Sequence, residues 1–241
     1  MVDNLGQMLP VAVGKFGEKT GLICCGNSFT FAQLNELSAR LGNALRGIGV
    51  GTGDRVTLYS QNCWEWVVSY YAISRVGAVV NPINIMLTPR EVLYVVRDCG
   101  AKAILAPSDK AEALLDLRHD SPLERIVLFE AGKRSGAYTL SELLAQASPH
   151  CEPPTTSRTE VSTIAYTSGT TGYPKGAVLT HGNVLLNTAL TATMHVRNSA
   201  DTVVTSLPTA HVYGNVVMNS ALLCGMTLVL IPRFDEVEVL N

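Results

Sequence analysis

Charge is scarce in this sequence: acidic and basic side chains make up 16% of its 241 residues, where about 25% is ordinary for a soluble domain. With 47% of the residues hydrophobic, either the core is large or part of the surface expects a partner. Neither sign of charge is in excess. Eighteen Lys and Arg against twenty Asp and Glu leave a formal charge of -2, so there is no basic field of the kind that holds a phosphate polymer by counterion release. A general nucleic-acid binder is thereby disfavoured.

Long apolar runs are missing as well. The stretch from Val216 to Ile231 is broken by Asn219, Ser220, Gly225 and Thr227 and falls short of the roughly 20 apolar residues that span a bilayer, so no transmembrane helix is predicted. The start, MVDNLGQMLP, lacks the basic-then-apolar layout of a secretory signal, and the cytoplasm is the expected compartment. The cysteines, Cys24, Cys25, Cys63, Cys99, Cys151 and Cys224, show no CxxC spacing, and the histidines form no HExxH pattern. Neither a redox pair nor zinc chemistry is indicated. Sitting mostly in apolar runs, the cysteines read as buried thiols.

What is present is an alternation of strand and helix patterns. At this length surface scaling buries about seven-tenths of the chain, which needs no disulfide scaffold. Thr30 and Gln33 form a capping box ahead of Leu34, Leu37, Leu41, Ala44 and Leu45 at helical spacing, predicting a helix over about 31–47. RVTLYS reads as a strand, CWEWVVSYYAISRV as a helix and AVV as a short buried strand. Thr88, Pro89 and Glu91 open another helix, which Gly100 stops; AILA and RIVLF follow as strands. Strands alternating with helices imply right-handed crossovers. The fold class is α/β, with mostly parallel sheets covered by helices.

Residues 132–161 are poorer in apolar residues, and SPHCEPPTTSRTE is rich in proline and hydroxyls, as a surface connection should be. The expected organisation is a first α/β subdomain over 1–131, a connecting segment over 132–161, and the start of a second α/β subdomain over 162–241. In that last part a strand (163–166), a polar loop, a strand (176–180), a helix over about 182–196, the strand VVTSL, a helix near 212–223 and the strand TLVLI are predicted. RFDEVEVLN stops where Asp235, a plausible N-cap, would only have started a helix. The chain therefore reads as an incomplete amino-terminal part of a longer protein, which would also explain the low charge.

The chemistry concentrates in YTSGTTGYPKG, Tyr166 to Gly176. Glycines let successive N–H groups converge on an anion, the hydroxyls add donors, and Lys175 adds a mobile positive charge. Such a loop suits the oxygens of a polyphosphate. It differs from the common P-loop, which has Gly before the lysine, Ser or Thr after it, and a helix at once. Here the neighbours are Pro174 and Gly176, and AVLT reads as a strand.

YTSGTTGYPKGAVLTHGN resembles the signature of the adenylate-forming superfamily, which comprises acyl-CoA synthetases, luciferases and nonribosomal-peptide adenylation domains. GDRVTLYSQNCWEWVVSYYAISRVGAVVNPIN and LTPREVLYVVRDCGAKAILA are similar to the amino-terminal sheet of fatty-acid and related acid-CoA ligases, and SLPTAHVYG with IPRFD to the segment after the phosphate loop. The resemblance implies a two-step ligase that joins a carboxylic acid, of fatty-acid type, to AMP from Mg-ATP and then passes the acyl group to coenzyme A. It implies that Thr167, Ser168, Gly169, Thr170, Thr171, Gly172 and Lys175 bind ATP, with the Thr167 hydroxyl also near the magnesium ion. Lys175 and His211 would be catalytic, and His211, Val212 and Tyr213 would face the acyl substrate. Homodimerisation and peripheral membrane association are compatible with it.

The resemblance leaves readings open. Taken alone, His211 reads as a satisfied helix-start histidine; His181 reads as capping or stabilising its helix start, and Trp64 and Trp66 as core. The downstream motifs of the superfamily, including its carboxy-terminal domain, are not in this sequence, so the isolated chain is expected to be inactive. A noncatalytic nucleotide-binding or dimerising module, or an adenylating enzyme using another acceptor, is the alternative.

Overall fold

The computed structural model describes residues 2–130, 135–167, 174–234 and 236. A 3-10 turn (Leu5–Gln7) leads into α1 (Met8–Phe16), and the hairpin β1 (Thr20–Cys24) and β2 (Asn27–Thr30) precedes α2 (Phe31–Gly47). Then come β3 (Arg55–Tyr59), α3 (Trp64–Arg75), β4 (Val79–Ile83), α4 (Pro89–Asp98), β5 (Ala101–Ala106), α5 (Ala111–Arg118) and β6 (Arg125–Leu128). The short β7 (Tyr138–Thr139), α6 (Leu140–Gln146), β8 (Val161–Thr167), β9 (Lys175–Thr180) and α7 (His181–Met194) follow, and β10 (Thr202–Thr205), α8 (Val212–Cys224) and β11 (Thr227–Leu230) complete the order.

Helix starts follow from local hydrogen bonding. Thr30 accepts the Gln33 N–H while the Gln33 side chain accepts the Thr30 N–H, and Thr88 with Glu91 does the same for α4. Each box satisfies two donors that the first helical turn would leave unpaired. At the other end of α4, Gly100 takes φ +62, the left-handed conformation that ends a helix cheaply only at glycine.

The strands form two sheets, one of seven in the order β7-β6-β5-β3-β4-β8-β9 and one of four in the order β10-β11-β1-β2. All pairings are parallel except β8 with β9 and β1 with β2. The fold is thus the expected α/β class. The boundary expected at 132–161 does not separate the sheets, however. β1 and β2 pair with the late strands, while β8 and β9 extend the sheet begun at β3, because a buried parallel strand takes whichever neighbour covers its ladder, however distant in sequence.

Side chains alternate across the seven-stranded sheet as the pleat demands. Ala103 and Leu105 belong to the larger core under α1, α2, α3 and α8, whereas Ile104 and Ala106 face the smaller core under α4 and α5. Trp66 is fully buried in the larger core and Trp64 packs against it partly buried, as read from the sequence. The cysteine reading needs correction: Cys24 and Cys151 are buried, but Cys63, Cys99 and Cys224 are only partly so. Cys25 is exposed, at φ +50 in the turn between β1 and β2. A hairpin tip cannot be covered by the sheet it turns.

β4 and β8 share one ladder pair, Val80 with Thr163. Buried Asn81 adds a side-chain link: it accepts from the Thr57 hydroxyl at 2.9 Å and donates to the Ile164 carbonyl at 2.8 Å. This seam carries β8, and with it Thr167, onto the sheet.

Candidate functional site

β8 and β9 are antiparallel, and their last register pair sets Thr167 opposite Lys175. The glycine-rich segment therefore connects the two strands of an antiparallel pair. Ser168, Gly169, Thr170, Thr171 and Gly172 lie outside the described residues, so the two flanking residues define the mouth. Both are exposed, and among the described residues no ion pair engages Lys175. An exposed ammonium paired across the strands with an exposed threonine is available to an anion.

Two tyrosines fasten this hairpin to α4. The Tyr94 hydroxyl donates to the Pro174 carbonyl at 3.3 Å, and the Tyr166 hydroxyl donates to Asp98. Burial and the Asp98 carboxylate raise the Tyr166 phenol far above its ordinary pKa, so it stays a donor at any physiological pH.

The second element is the start of α8. His211 is its N-cap, with Nδ1 accepting the Tyr213 N–H at 3.3 Å. Nδ1 being the acceptor, a neutral imidazole carries its proton on Nε2, which leaves that nitrogen as a donor. His211, Val212 and Tyr213 are exposed. The turn depends on Gly214, where an added Cβ would lie well inside van der Waals contact distance of the Pro208 carbonyl oxygen; only glycine lets the helix start lie against that backbone.

A cavity of about 210 Å³ lies between the hairpin and helices α7 and α8. Thr167 and Val212 both line it, so two residues singled out in separate motifs meet there, among apolar walls from Ala165, Leu179, Val184 and Val216. Tyr213 is not part of this lining. The arrangement places the β8–β9 pair, the start of α8 and a largely apolar recess side by side.

Asn62 and Asn215 lack any signal in sequence spacing, and His181 has another role than the one read from it. Asn62, buried in the turn after β3, holds the loop that carries His211. Asn215, partly buried, is one of the residues that line the cavity. His181 does not cap α7. Thr180 does, in a box with Asn183, while His181 is buried and its Nδ1 accepts the Leu5 N–H at 3.2 Å. Burial lowers its pKa, because the charged form loses its hydration.

Comparison with known proteins bears on this geometry. A family model described as AMP-binding enzyme matches residues 9–240. The chain is 28% identical to a long-chain-fatty-acid–CoA ligase of Bacillus subtilis (strain 168), over 99% of this chain and 48% of that protein. It is 30% identical to a crotonobetaine/carnitine–CoA ligase of Salmonella typhi, over 97% of this chain and 47% of that one. Among solved structures, the anthranilate CoA ligase AuaEII in complex with anthranoyl-AMP superposes with a TM-score of 0.90 at 27% identity, covering 96% of this chain and 45% of that chain. The chain spans about half the length of the curated relatives it matches. With hairpin, helix start and cavity arranged as described and the family model matched over nearly its whole length, this chain belongs to the AMP-binding enzyme family.

Proposed function

We propose that the chain carries the phosphate loop and part of the acyl pocket of an ATP-dependent acid–CoA ligase. The observation that supports this best is the shared cavity, which puts Thr167 at the mouth of the hairpin and Val212 at the start of α8 on one recess. An acid seated there has its acyl part among apolar side chains and its carboxylate toward the nucleotide.

In the first half-reaction a carboxylate oxygen attacks the α-phosphorus of ATP; the bond to the bridging oxygen breaks, and pyrophosphate leaves with the electron pair. Lys175, Thr167 and the loop residues Ser168 to Gly172 hold the β- and γ-phosphates, and the lysine ammonium meets the charge that accumulates as they depart. His211 donates from Nε2 toward the carboxylate or the phosphoryl oxygens. Transfer at phosphorus is governed by such positioning and charge stabilisation. In the second half-reaction the coenzyme A thiolate attacks the acyl carbon and AMP leaves.

Magnesium enters with the nucleotide. Among the described residues there is no group of three or more His, Cys, Asp or Glu suited to a metal ion, and Thr167 offers one hydroxyl. Thr167 would be the residue to hold a magnesium ion bound with the nucleotide, and the ion would offset phosphate charge.

The relatives are named for different acids, so the substrate is stated here as a carboxylic acid. Among the described residues no helix is long and apolar enough to cross a membrane. The full-length protein, given Mg-ATP and a panel of acids, is expected to release pyrophosphate only when an acid it accepts is present, with AMP and a thioester appearing once coenzyme A is added. No acid-dependent release across aliphatic, aromatic and substituted acids would overturn the reading.

A further inference from the structure

The β8–β9 pair stands out from the sheet that carries it. β9 is the last strand of the seven, and among the described residues β8 makes no ladder pair with β4 beyond Val80 with Thr163. At about 3.3 Å per residue, Thr167 lies roughly 13 Å further along the strand. The Asn81 side chain reaches only as far as the Ile164 carbonyl. The ends that carry Thr167 and Lys175 therefore depend on support from outside the ladder.

α4 supplies it, from one side. Alternate residues of a strand face opposite ways: Thr163, Ala165 and Thr167 line the cavity, while Tyr166 packs against the smaller core under α4 and α5. Its hydroxyl donates to Asp98, and one helical turn earlier the Tyr94 hydroxyl donates to the Pro174 carbonyl at 3.3 Å. Residues four apart on a helix share a face. One face of α4 thus grips both strand ends, each time one residue from the mouth, since Tyr166 precedes Thr167 and Pro174 precedes Lys175. Gly176 makes room for this. It stands opposite Tyr166 in the register, and a Cβ there would lie 3.2 Å from the Tyr166 ring and 3.3 Å from its hydroxyl, so glycine lets the end of the ring lie close against the partner strand.

We propose that Tyr94 and Asp98 are positioning residues for the nucleotide: from the face opposite the cavity they hold Pro174 and Tyr166, and through them set where Lys175 and Thr167 meet the β- and γ-phosphates of ATP. This rests on the glycine-rich segment being the phosphate site of the ligase described above. In this role neither residue touches substrate. Their effect falls on the half-reaction that uses the triphosphate, because the thioester-forming step has no β- or γ-phosphate to align. A loss of folded protein, by contrast, lowers both half-reactions alike.

The test compares the two half-reactions of the full-length protein in Tyr94→Phe, Asp98→Ala and Asp98→Asn. In Asp98→Ala the KM for ATP, measured by acid-dependent pyrophosphate release, is expected to rise about tenfold, as loss of one charge-assisted hydrogen bond implies, while the KM for the acid stays as it was. Tyr94→Phe, which removes a neutral hydrogen bond, should raise it about threefold. Thioester formation from supplied acyl-adenylate and coenzyme A should be unaltered in both. Asp98→Asn keeps an acceptor for Tyr166 and should restore most of the ATP affinity. Should Asp98→Ala fail to fold, Tyr166→Phe removes the same hydrogen bond from its other end and should raise the KM for ATP to a similar extent. An unchanged KM for ATP in the folded variants, or equal losses in both half-reactions, overturns the positioning role and leaves the ligase reading standing. No release by the unmodified protein with any acid overturns the ligase reading and this proposal together.

Discussion

The side-chain oxygen of Asn62 accepts two hydrogen bonds from one residue, Thr209: the backbone N–H at 2.8 Å and the hydroxyl at 2.9 Å. Its amide nitrogen donates to the carbonyls of Leu207 and Ile231, each at 3.0 Å. One buried side chain in the turn after β3 thus uses both ends to hold the loop before α8, two residues ahead of His211. Asn62→Leu leaves two donors and two carbonyls without that partner. A loss of about 3 kcal/mol is expected, read as a lowered midpoint in urea, together with a fall in acid-dependent pyrophosphate release. Asn62→Asp, which sets a buried carboxylate oxygen against the Leu207 and Ile231 carbonyls, should recover neither.

Gly214→Ala should disturb the site more than the size of a methyl group suggests. Its Cβ collides with backbone, the Pro208 carbonyl, and backbone cannot swing aside as a long side chain can. The helix start, and His211 with it, must shift. The expected result is a drop in kcat/KM of about 10²-fold, since a displacement of about 1 Å in a positioning element costs that much. A variant with unaltered kinetics would show that the helix start is not part of the reacting geometry.

Lys175→Ala should separate the two half-reactions. In the proposed reaction the lysine faces the departing phosphates and contributes where charge develops, so its loss should slow pyrophosphate formation by about 10² to 10³. The thioester-forming step, measured by supplying the acyl-adenylate and coenzyme A, should change far less. Equal slowing of both would assign the lysine to general binding instead.

His181 gives the fold a pH dependence of defined sign. Its folded pKa lies below the ordinary 6.5 because of burial, so between the two values the unfolded chain holds the extra proton. Stability is full above about pH 6.5 and falls as pH drops through the window beneath it, until the folded form is protonated and can no longer accept the Leu5 N–H. His181→Asn keeps an accepting atom and removes the titration. Its thermal midpoint should lose this part of the slope below pH 6.5 while remaining close to that of the unmodified protein above it.

The legible parts of this fold were those with short-range causes. Capping boxes at Thr30 and Thr88, the stop at Gly100 and the strand–helix alternation are each written within a few residues, and all appear in the structure. The two strands that flank the glycine-rich segment were legible for the same reason, whereas their antiparallel register, with Thr167 opposite Lys175, was not. Asn62 was not, because the residue it holds lies 147 positions away, and asparagine in a turn looks like any turn residue. Asn215 was hidden by its surroundings in α8, where a 3.6-residue pattern says nothing of which residues line a cavity. The short α5 and α6 carry too few turns to show a period, and β1 with β2 shows its place only through distant strands.

That distance shapes how the chain is made. β1 pairs with β11, and the Thr227 hydroxyl donates to the Thr20 carbonyl 207 positions earlier. At synthesis rates of about 5–20 residues per second, Leu22 emerges from the ribosome roughly ten seconds or more before Leu228, its partner, exists. Until then the nascent hairpin carries an unpaired apolar edge, of the kind that chaperones shield and that aggregation exploits. Refolding from denaturant should accordingly be slow for a chain of this size, with late closure of the four-stranded sheet as the limiting event.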